Sequence, residues 1–133
     1  MFEKLKQLLK NSSAPYSHFK VAAIIKTNDQ KEYKGVNIES AAFSNTICAE
    51  RNAIFSAISN GVKWGDIKEV YLLSFSENKN NLKEFATPCG NCRQVISESS
   101  NNKALIYIYN MEGDLKKTTI KQLLPSSFRA NDF

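Results

Sequence analysis

Residues 19–26 read FKVAAIIK, and they are followed by TNDQ at 27–30 and by KEYKGV at 31–36. The first segment is rich in β-branched and apolar side chains, which is typical of a strand buried in a sheet. The four residues after it are turn formers, and the third segment returns to strand-forming residues. This part of the chain therefore predicts a β-hairpin whose first strand is buried.

Outward from this hairpin, predicted helices alternate with short apolar strands. The spacing of apolar residues predicts helices at residues 2–11, 48–60, 90–99 and 120–124, and further strands at 67–75, 104–109 and 115–118. The order α-β-β-α-β-α-β-β-α predicts an α/β fold with a mixed sheet of five strands and helices on its faces. A chain of 133 residues is expected to form one domain over residues 1–133.

Composition and charge exclude several classes of protein. Apolar residues make up 42% and charged residues 23%, which is ordinary for a globular protein. No apolar run reaches the roughly 20 residues of a membrane span. The net charge of +5 comes from lysines spread along the chain, without the dense basic stripe of a nucleic-acid site. An odd number of cysteines, three, favours a reducing compartment, so we expect a cytoplasmic protein.

All three cysteines fall in two short motifs, CAE at 48–50 and PCGNC at 88–92. The spacing of Cys89 and Cys92 suits a zinc ion, although thioredoxin-like redox pairs use the same spacing. A third thiol, Cys48, favours the metal. Three thiolates with one open position are typical of a catalytic zinc, whereas a structural zinc takes four protein ligands. A non-enzymatic zinc module stays the alternative.

Three thiolates around one zinc ion leave a net negative charge, and the sequence offers two ways to offset it. Cys48 and Cys89 each begin a predicted helix, where the helix dipole favours anions. Arg51 follows Cys48 closely and can donate hydrogen bonds to a ligand sulfur, as can Arg93 from the second helix. A surface ion pair is the alternative for either arginine.

Glu50 lies two residues after a proposed ligand, at the start of a predicted helix. If Cys48 is the N-cap residue, its backbone is not helical, and Glu50 can then turn toward the metal. A carboxylate there can take a proton from an activated water and return it to a leaving amine. The alternative is that an acidic residue in the first turn only complements the helix dipole.

Five motifs occur in one order along residues 15–128. They are PYSHF at 15–19, NIESAAF at 37–43, CAERNAI at 48–54, PCGNCRQ at 88–94 and LLPSSF at 123–128. Together they resemble the small homotetrameric zinc-dependent cytidine deaminases, and the cysteine motifs fit the zinc deaminase signature in its three-Cys form. The resemblance implies a three-layer α/β/α fold with a central mixed five-stranded sheet.

The resemblance also implies a reaction. Cytidine and 2′-deoxycytidine would be hydrolysed to uridine and 2′-deoxyuridine with release of ammonia, as in pyrimidine salvage. Cys48, Cys89 and Cys92 would hold one Zn²⁺ per subunit, which activates the attacking water. Glu50 would protonate N3 of the pyrimidine and shuttle a proton to the departing amine.

The resemblance further assigns substrate contacts. Asn37 and Glu39 would bind the ribose hydroxyls, Phe19 would lie against the pyrimidine, and backbone atoms of Ala49 would bond the base. Phe128 would reach the active site of a neighbouring subunit in a homotetramer. Without the resemblance, Phe19 would be assigned to the core, and Asn37 and Glu39 to a turn and to solvent.

Two rival enzymes share this chemistry. A deaminase acting on bases within RNA or DNA uses the same zinc, Glu and Cys pair, but it needs a basic groove for the strand. A blasticidin-type deaminase has similar motifs. We expect a small-molecule nucleoside as the substrate, with neither nucleic acid nor membrane as a partner.

Overall fold

The computed structural model describes residues 1–130 and 133. Its strands are β1 (Phe19–Thr27), β2 (Glu32–Val36), β3 (Ile67–Ser76), β4 (Leu105–Tyr109) and β5 (Leu115–Thr119). They form one sheet in the order β2-β1-β3-β4-β5. The β3–β4 pair is parallel, and the other neighbours are antiparallel. The prediction of a mixed five-stranded sheet is thus confirmed.

The helices are α1 (Phe2–Leu9), α2 (Ala49–Ser59), α3 (Gly90–Ser99) and α4 (Ile120–Leu123), with a 3₁₀ turn at Phe43–Asn45. The sequence pattern did not predict this turn. Helix α1 ends two residues before the predicted end, because the amides of Asn11 and Ser12 donate to carbonyls three residues back and tighten the chain. Within the described residues, no helix is both long and apolar enough to cross a membrane.

Neighbouring residues of β1 serve two separate cores. Ala23 and Ile25 pack with α2, α3 and α4 on one face of the sheet. Ala22 and Ile24 pack with α1 on the other face. This alternation follows from the two-residue period of a strand. The sheet therefore lies between two helical layers, as the three-layer α/β/α prediction requires.

Helix α2 lies directly on the backbone of β2. A Cβ atom at Gly35 would stand 2.4 Å from the carbonyl oxygen of Ala49 and 2.4 Å from the amide nitrogen of Ala53. Both of these atoms belong to backbone, which cannot move aside cheaply. Glycine is therefore needed at this position, and the close contact fixes where α2 begins.

The start of β1, the C-terminal ends of β2 and β3 and the starts of two helices lie on the same side of the sheet, at the ends of its strands; this side is called the edge below. Phe19, the first residue of β1, pairs with Ser76, the last residue of β3, and Ala22 pairs with Val36, the last residue of β2. The chain leaves β2 and β3 at this edge, and α2 and α3 then begin. Carboxyl ends of strands are where α/β proteins bind their ligands, so the fold itself points to this edge.

Candidate active site

The three cysteines form one cluster at this edge. Cys48 is the N-cap of α2 and Cys89 is the N-cap of α3, each with extended backbone angles, and Cys92 lies in the first turn of α3. The predicted N-cap position of Cys48 is therefore confirmed. The three Sγ atoms lie within 4.8 Å of one another, and those of Cys48 and Cys89 are 3.9 Å apart.

This donor set fits a zinc ion. Sulfurs at about 2.3 Å from a tetrahedral centre lie about 3.8 Å apart, which is close to the separation of the Cys48 and Cys89 sulfurs. In the described part of the chain, no fourth Cys, His or carboxylate ligand atom joins the group. The geometry therefore resembles a catalytic zinc site, in which three protein ligands leave one position open.

Arg51 lies beside the cluster. Its Nη2 atom donates to Cys48 Sγ at 3.5 Å. A hydrogen bond with Cys92, together with the Arg51 guanidinium, lowers the pKa of Cys48 to about 5 against the burial that opposes it. The thiolate is the form of cysteine that binds a metal. Arg51 and the start of α2 thus both favour the negative charge at Cys48.

Arg93 does not contact a ligand sulfur as the sequence suggested. Its guanidinium donates to three oxygen atoms instead: through Nε to the carbonyl of Pro88 at 2.7 Å, through Nη1 to the carbonyl of Leu123 at 2.7 Å, and through Nη2 to Oγ1 of Thr87 at 2.9 Å. The Arg93 side chain therefore extends to the end of α4 and not to the sulfurs.

Glu50 is almost completely enclosed, with 5% of its surface exposed. Burial raises the pKa of its carboxyl, and the negative charge at Cys48 acts in the same direction. A carboxyl of this kind holds a proton more readily than a surface glutamate. Its position next to the cysteines makes it suitable for accepting and returning a proton.

A cavity of about 260 Å³ opens beside Glu50 and the sulfurs. Most of the residues that sequence analysis selected line this cavity, namely Phe19, Asn37, Glu39, Cys48, Ala49, Glu50 and Cys89. Within the described residues, Cys92, Arg51 and Phe128 are not part of its lining. Cys92 is completely buried.

The side chain of Asn37 is bonded into the protein. Its Oδ1 atom accepts from the backbone amide of Val21 at 2.8 Å and from the hydroxyl of Ser12, and its Nδ2 atom donates to the carbonyl of Phe19 at 2.8 Å. Asn37 therefore holds the start of β1 in place while it lines the cavity.

The carboxylate of Glu39 is held by the turn before β1. The backbone amides of Tyr16 and Ser17 donate to its Oε1 atom at 2.9 Å and 3.1 Å, and the hydroxyl of Ser17 donates to Oε2. Partial burial works against ionisation, but these hydrogen bonds outweigh it, so the pKa of Glu39 lies below its ordinary value. The carboxylate is consequently charged and fixed in direction.

Phe128 lies on the surface, with 53% of the residue exposed. Gln94 of α3 donates from Nε2 to the carbonyl of Phe128 at 2.8 Å, and the ring of Phe128 meets that of Phe133 with 5.6 Å between centroids. Its predicted contact with a neighbouring subunit stays a prediction.

Several cavity residues were given no role by the sequence analysis. Ser17 belongs to the PYSHF motif, but no pattern indicated that its hydroxyl meets Glu39. Thr87 lies directly before the PCGNC motif and forms part of the cavity wall. Ser74 points from β3 into the same space. Only the convergence of strands at the sheet edge brings these residues together.

The sequence of this chain matches a known protein family. The family model for the cytidine and deoxycytidylate deaminase zinc-binding region matches residues 1–108. The chain belongs to the cytidine deaminase family. The matched residues include the whole cysteine cluster, so Cys48, Cys89 and Cys92 are the zinc ligands of this deaminase domain.

Individual members of the cytidine deaminase family are similar over nearly the whole chain. A cytidine deaminase of Sporosarcina psychrophila is 39% identical over 127 residues, which cover 96% of this chain and 88% of that protein. One from Mycoplasma genitalium is 35% identical over 129 residues, covering 97% and 93%. The crystal structure of cytidine deaminase from Burkholderia pseudomallei superposes with a TM-score of 0.85 at 35% identity, covering 96% and 95%.

Proposed function

We propose that this protein hydrolyses cytidine and 2′-deoxycytidine to uridine and 2′-deoxyuridine with release of ammonia. The observation that carries the proposal is a buried glutamate, Glu50, in the wall of a cavity that Cys48 and Cys89 also line, with Cys92 completing the cluster of zinc-ligand sulfurs. Zinc bound there supplies the activation of water near neutral pH. Water and cytidine together account for all the atoms of uridine and ammonia.

Glu50 moves the protons in this reaction. Its carboxylate accepts a proton from the attacking water and delivers it to N3 of the pyrimidine, which makes C4 more electrophilic. A second transfer through the same carboxyl protonates the amino group on C4, which then leaves as ammonia. The raised pKa of Glu50 suits both directions of transfer, because burial makes its carboxyl hold a proton more readily than a surface glutamate does.

The charges of the cavity favour a free nucleoside over a nucleotide or a nucleic acid. Among the described residues that line it, none is Lys, Arg or His, and the acidic groups include the carboxyl groups of Glu39 and Glu50 and the thiol of Cys48. A phosphate group would meet the Glu39 carboxylate without a cation to neutralise it. A deaminase of RNA or DNA bases, the first alternative, would need the opposite charge.

The sugar and the base take opposite ends of the cavity in this proposal. Glu39, with a fixed and charged carboxylate, accepts a hydrogen bond from a ribose hydroxyl, and Asn37 stands beside it. Phe19 lies against the pyrimidine ring, which turns C4 toward the cysteines and Glu50. Backbone atoms of Ala49 bond the base at the start of α2.

We also propose that the active unit is a homotetramer in a reducing compartment such as the cytoplasm. Phe43, Phe55, Trp64 and Phe128 are 42% to 73% exposed and offer aromatic surface that a neighbouring subunit can cover. In the assembly, Phe128 of one subunit contacts the cavity of the next.

An ultraviolet assay with competing substrates tests this function. The purified protein is given cytidine, 2′-deoxycytidine, cytidine monophosphate, blasticidin S or a cytidine-containing RNA oligonucleotide in separate reactions. We expect the spectral change from cytidine to uridine with the two nucleosides, and much slower reaction with the other three. Turnover of the oligonucleotide alone, or of blasticidin S alone, would replace this proposal by the corresponding alternative.

A further inference from the structure

The hydrogen bonds of Arg93 join three segments that the zinc site depends on. The guanidinium binds the Pro88 carbonyl, the Thr87 hydroxyl and the Leu123 carbonyl at 2.7 to 2.9 Å. Pro88 is buried and directly precedes the zinc ligand Cys89, and Thr87 lines the cavity. Arg93 is only partly exposed, and its charge-assisted bonds to Pro88 and Leu123 are partly buried, whereas the bond to Thr87 lies at the surface.

The segment that carries Cys89 is held mainly before its last residues: the Met111 amide donates to the Leu82 carbonyl at 3.0 Å, and Phe85 packs against the main core. Residues 77–89 connect β3 to α3 without regular secondary structure apart from turns. Cys89 is the N-cap of α3 with extended backbone angles, so only its carbonyl joins the helix, where it accepts from the Arg93 amide at 2.9 Å, whereas Cys92 lies inside the first turn. Its position depends on how the end of the connecting segment is held.

We propose that Arg93 is a positioning residue for the zinc site. Through Pro88 it fixes Cys89, and through Thr87 it fixes the adjoining wall of the cavity. The third bond, to Leu123, anchors both to the end of α4. Arg93 acts through these neighbours, because its own nitrogens donate to oxygen atoms and it does not line the cavity.

The fork of a guanidinium is needed for this role. Its nitrogens point in fixed, divergent directions in one plane, whereas the ammonium of lysine is a single compact charge. One ammonium group cannot reach acceptors that lie on Thr87, Pro88 and Leu123 at once. The proposal rests on the zinc site and does not depend on which nucleoside is the substrate.

The test measures zinc release from the zinc-loaded protein to a chromophoric chelator, without substrate. We expect Arg93→Gln and Arg93→Lys to release zinc about 10 to 100-fold faster, the usual loss when a residue supporting a metal ligand is removed. Thr87→Val, which keeps the shape but removes one of the three acceptors, should accelerate zinc release less than Arg93→Lys does.

Lys79→Met is the matched control. It removes a cation from the same connecting segment, where Lys79 pairs with Glu84 at 3.4 Å on the surface. We expect zinc release at the wild-type rate. The proposal is overturned if Arg93→Lys, the milder variant, keeps wild-type zinc release, whatever its melting temperature. It is also overturned if Lys79→Met accelerates release as much as Arg93→Lys does.

Chemical rescue separates positioning from general stability. In Arg93→Ala, millimolar guanidinium should enter the vacant space and slow zinc release back toward the wild-type rate, whereas equal sodium chloride should not. If guanidinium and sodium chloride have the same effect, the forked contact is not what holds the ligand and the proposal fails. Because no nucleoside is present, the outcome is independent of the proposed deaminase activity.

Discussion

The two ends of the cavity hold their polar groups in different ways. At the zinc end, Cys48 and Glu50 project from the start of a helix, and their polar atoms face the cavity or the metal. At the end that we propose takes the sugar, called the sugar end below, the side chains of Asn37 and Glu39 are bonded to the backbone of β1 and of the turn before it. The polar groups at the zinc end are free to react, whereas those at the sugar end also hold the backbone of the site in place.

The contrast between the two ends predicts which substitutions should affect activity and stability together. Replacing Glu50 removes the proposed proton carrier, and the hydrogen bonds that favour its carboxylate come from its own backbone amide and from Cys92, inside the zinc end. Replacing Asn37 removes bonds that hold Phe19 and Val21, so binding and folding should suffer together. Substitutions at the zinc end should therefore alter kcat or the metal content. Substitutions at the sugar end should alter KM and the melting temperature.

The largest expected effect is that of Glu50→Gln. Because the amide cannot carry protons, kcat should fall by about three orders of magnitude or more. Zinc content and melting temperature should stay near the wild-type values. Activity follows from the ultraviolet assay and zinc from elemental analysis. Near-normal activity in this variant would refute the assignment and favour a zinc ion that only stabilises the fold.

Asn37→Ala should weaken substrate binding and lower stability together. It leaves the amide of Val21 and the carbonyl of Phe19 without their side-chain partner, which should cost about 2 kcal/mol in the free energy of unfolding. KM for cytidine should rise in the same variant. Urea unfolding and steady-state kinetics measure the two effects. A rise in KM without any loss of stability would contradict the structural role of the amide.

Ser17→Ala is a milder change at the same end. It removes one of three donors to the Glu39 carboxylate and the acceptor of the Phe19 amide at 3.0 Å, so KM should rise roughly three- to tenfold or more, the effect of about one or two hydrogen bonds. Ser56→Ala is the control, since Ser56 in α2 bonds Asn60 through its carbonyl. Equal KM values for the two variants would show that the Ser17 hydroxyl does not orient Glu39.

The smallest effect expected is the pH dependence that Glu39 contributes. Its pKa in the folded protein lies below the ordinary 4.5, so the charged form and its contribution to stability are fully present above that value. The contribution is lost as the pH falls through the lowered pKa. In Ser17→Ala this acid limb should move to higher pH, as measured by KM and melting temperature. An unchanged limb would show that the hydroxyl does not lower the pKa.

Much of the fold and of the zinc end could be predicted from the sequence. The pattern of apolar residues predicted the five strands. The positions of the three thiols predicted a zinc ion with one open coordination position. The N-cap position of Cys48 followed from local rules alone. These features depend on residues close in sequence, where strand period, helix period and helix ends are determined locally.

The remaining features depend on contacts between distant segments. The hydrogen bonds of Asn37 and Glu39 exist because β1, β2 and residues 12–17 meet at one edge. Arg93 reaches Leu123, thirty residues away, and nothing near it in sequence indicates this partner. Gly35 is required by α2, which packs on its backbone. The contact of Phe128 with a neighbouring subunit is still a prediction from resemblance.

The most direct test of the central claim follows cytidine by ultraviolet absorbance with three samples of the same protein. One sample carries zinc, one has been stripped by a chelator, and one has been stripped and reloaded. We predict the spectrum of uridine and one equivalent of ammonia from the first and third samples, and none from the second. An unchanged cytidine spectrum with the zinc-loaded protein would contradict the account.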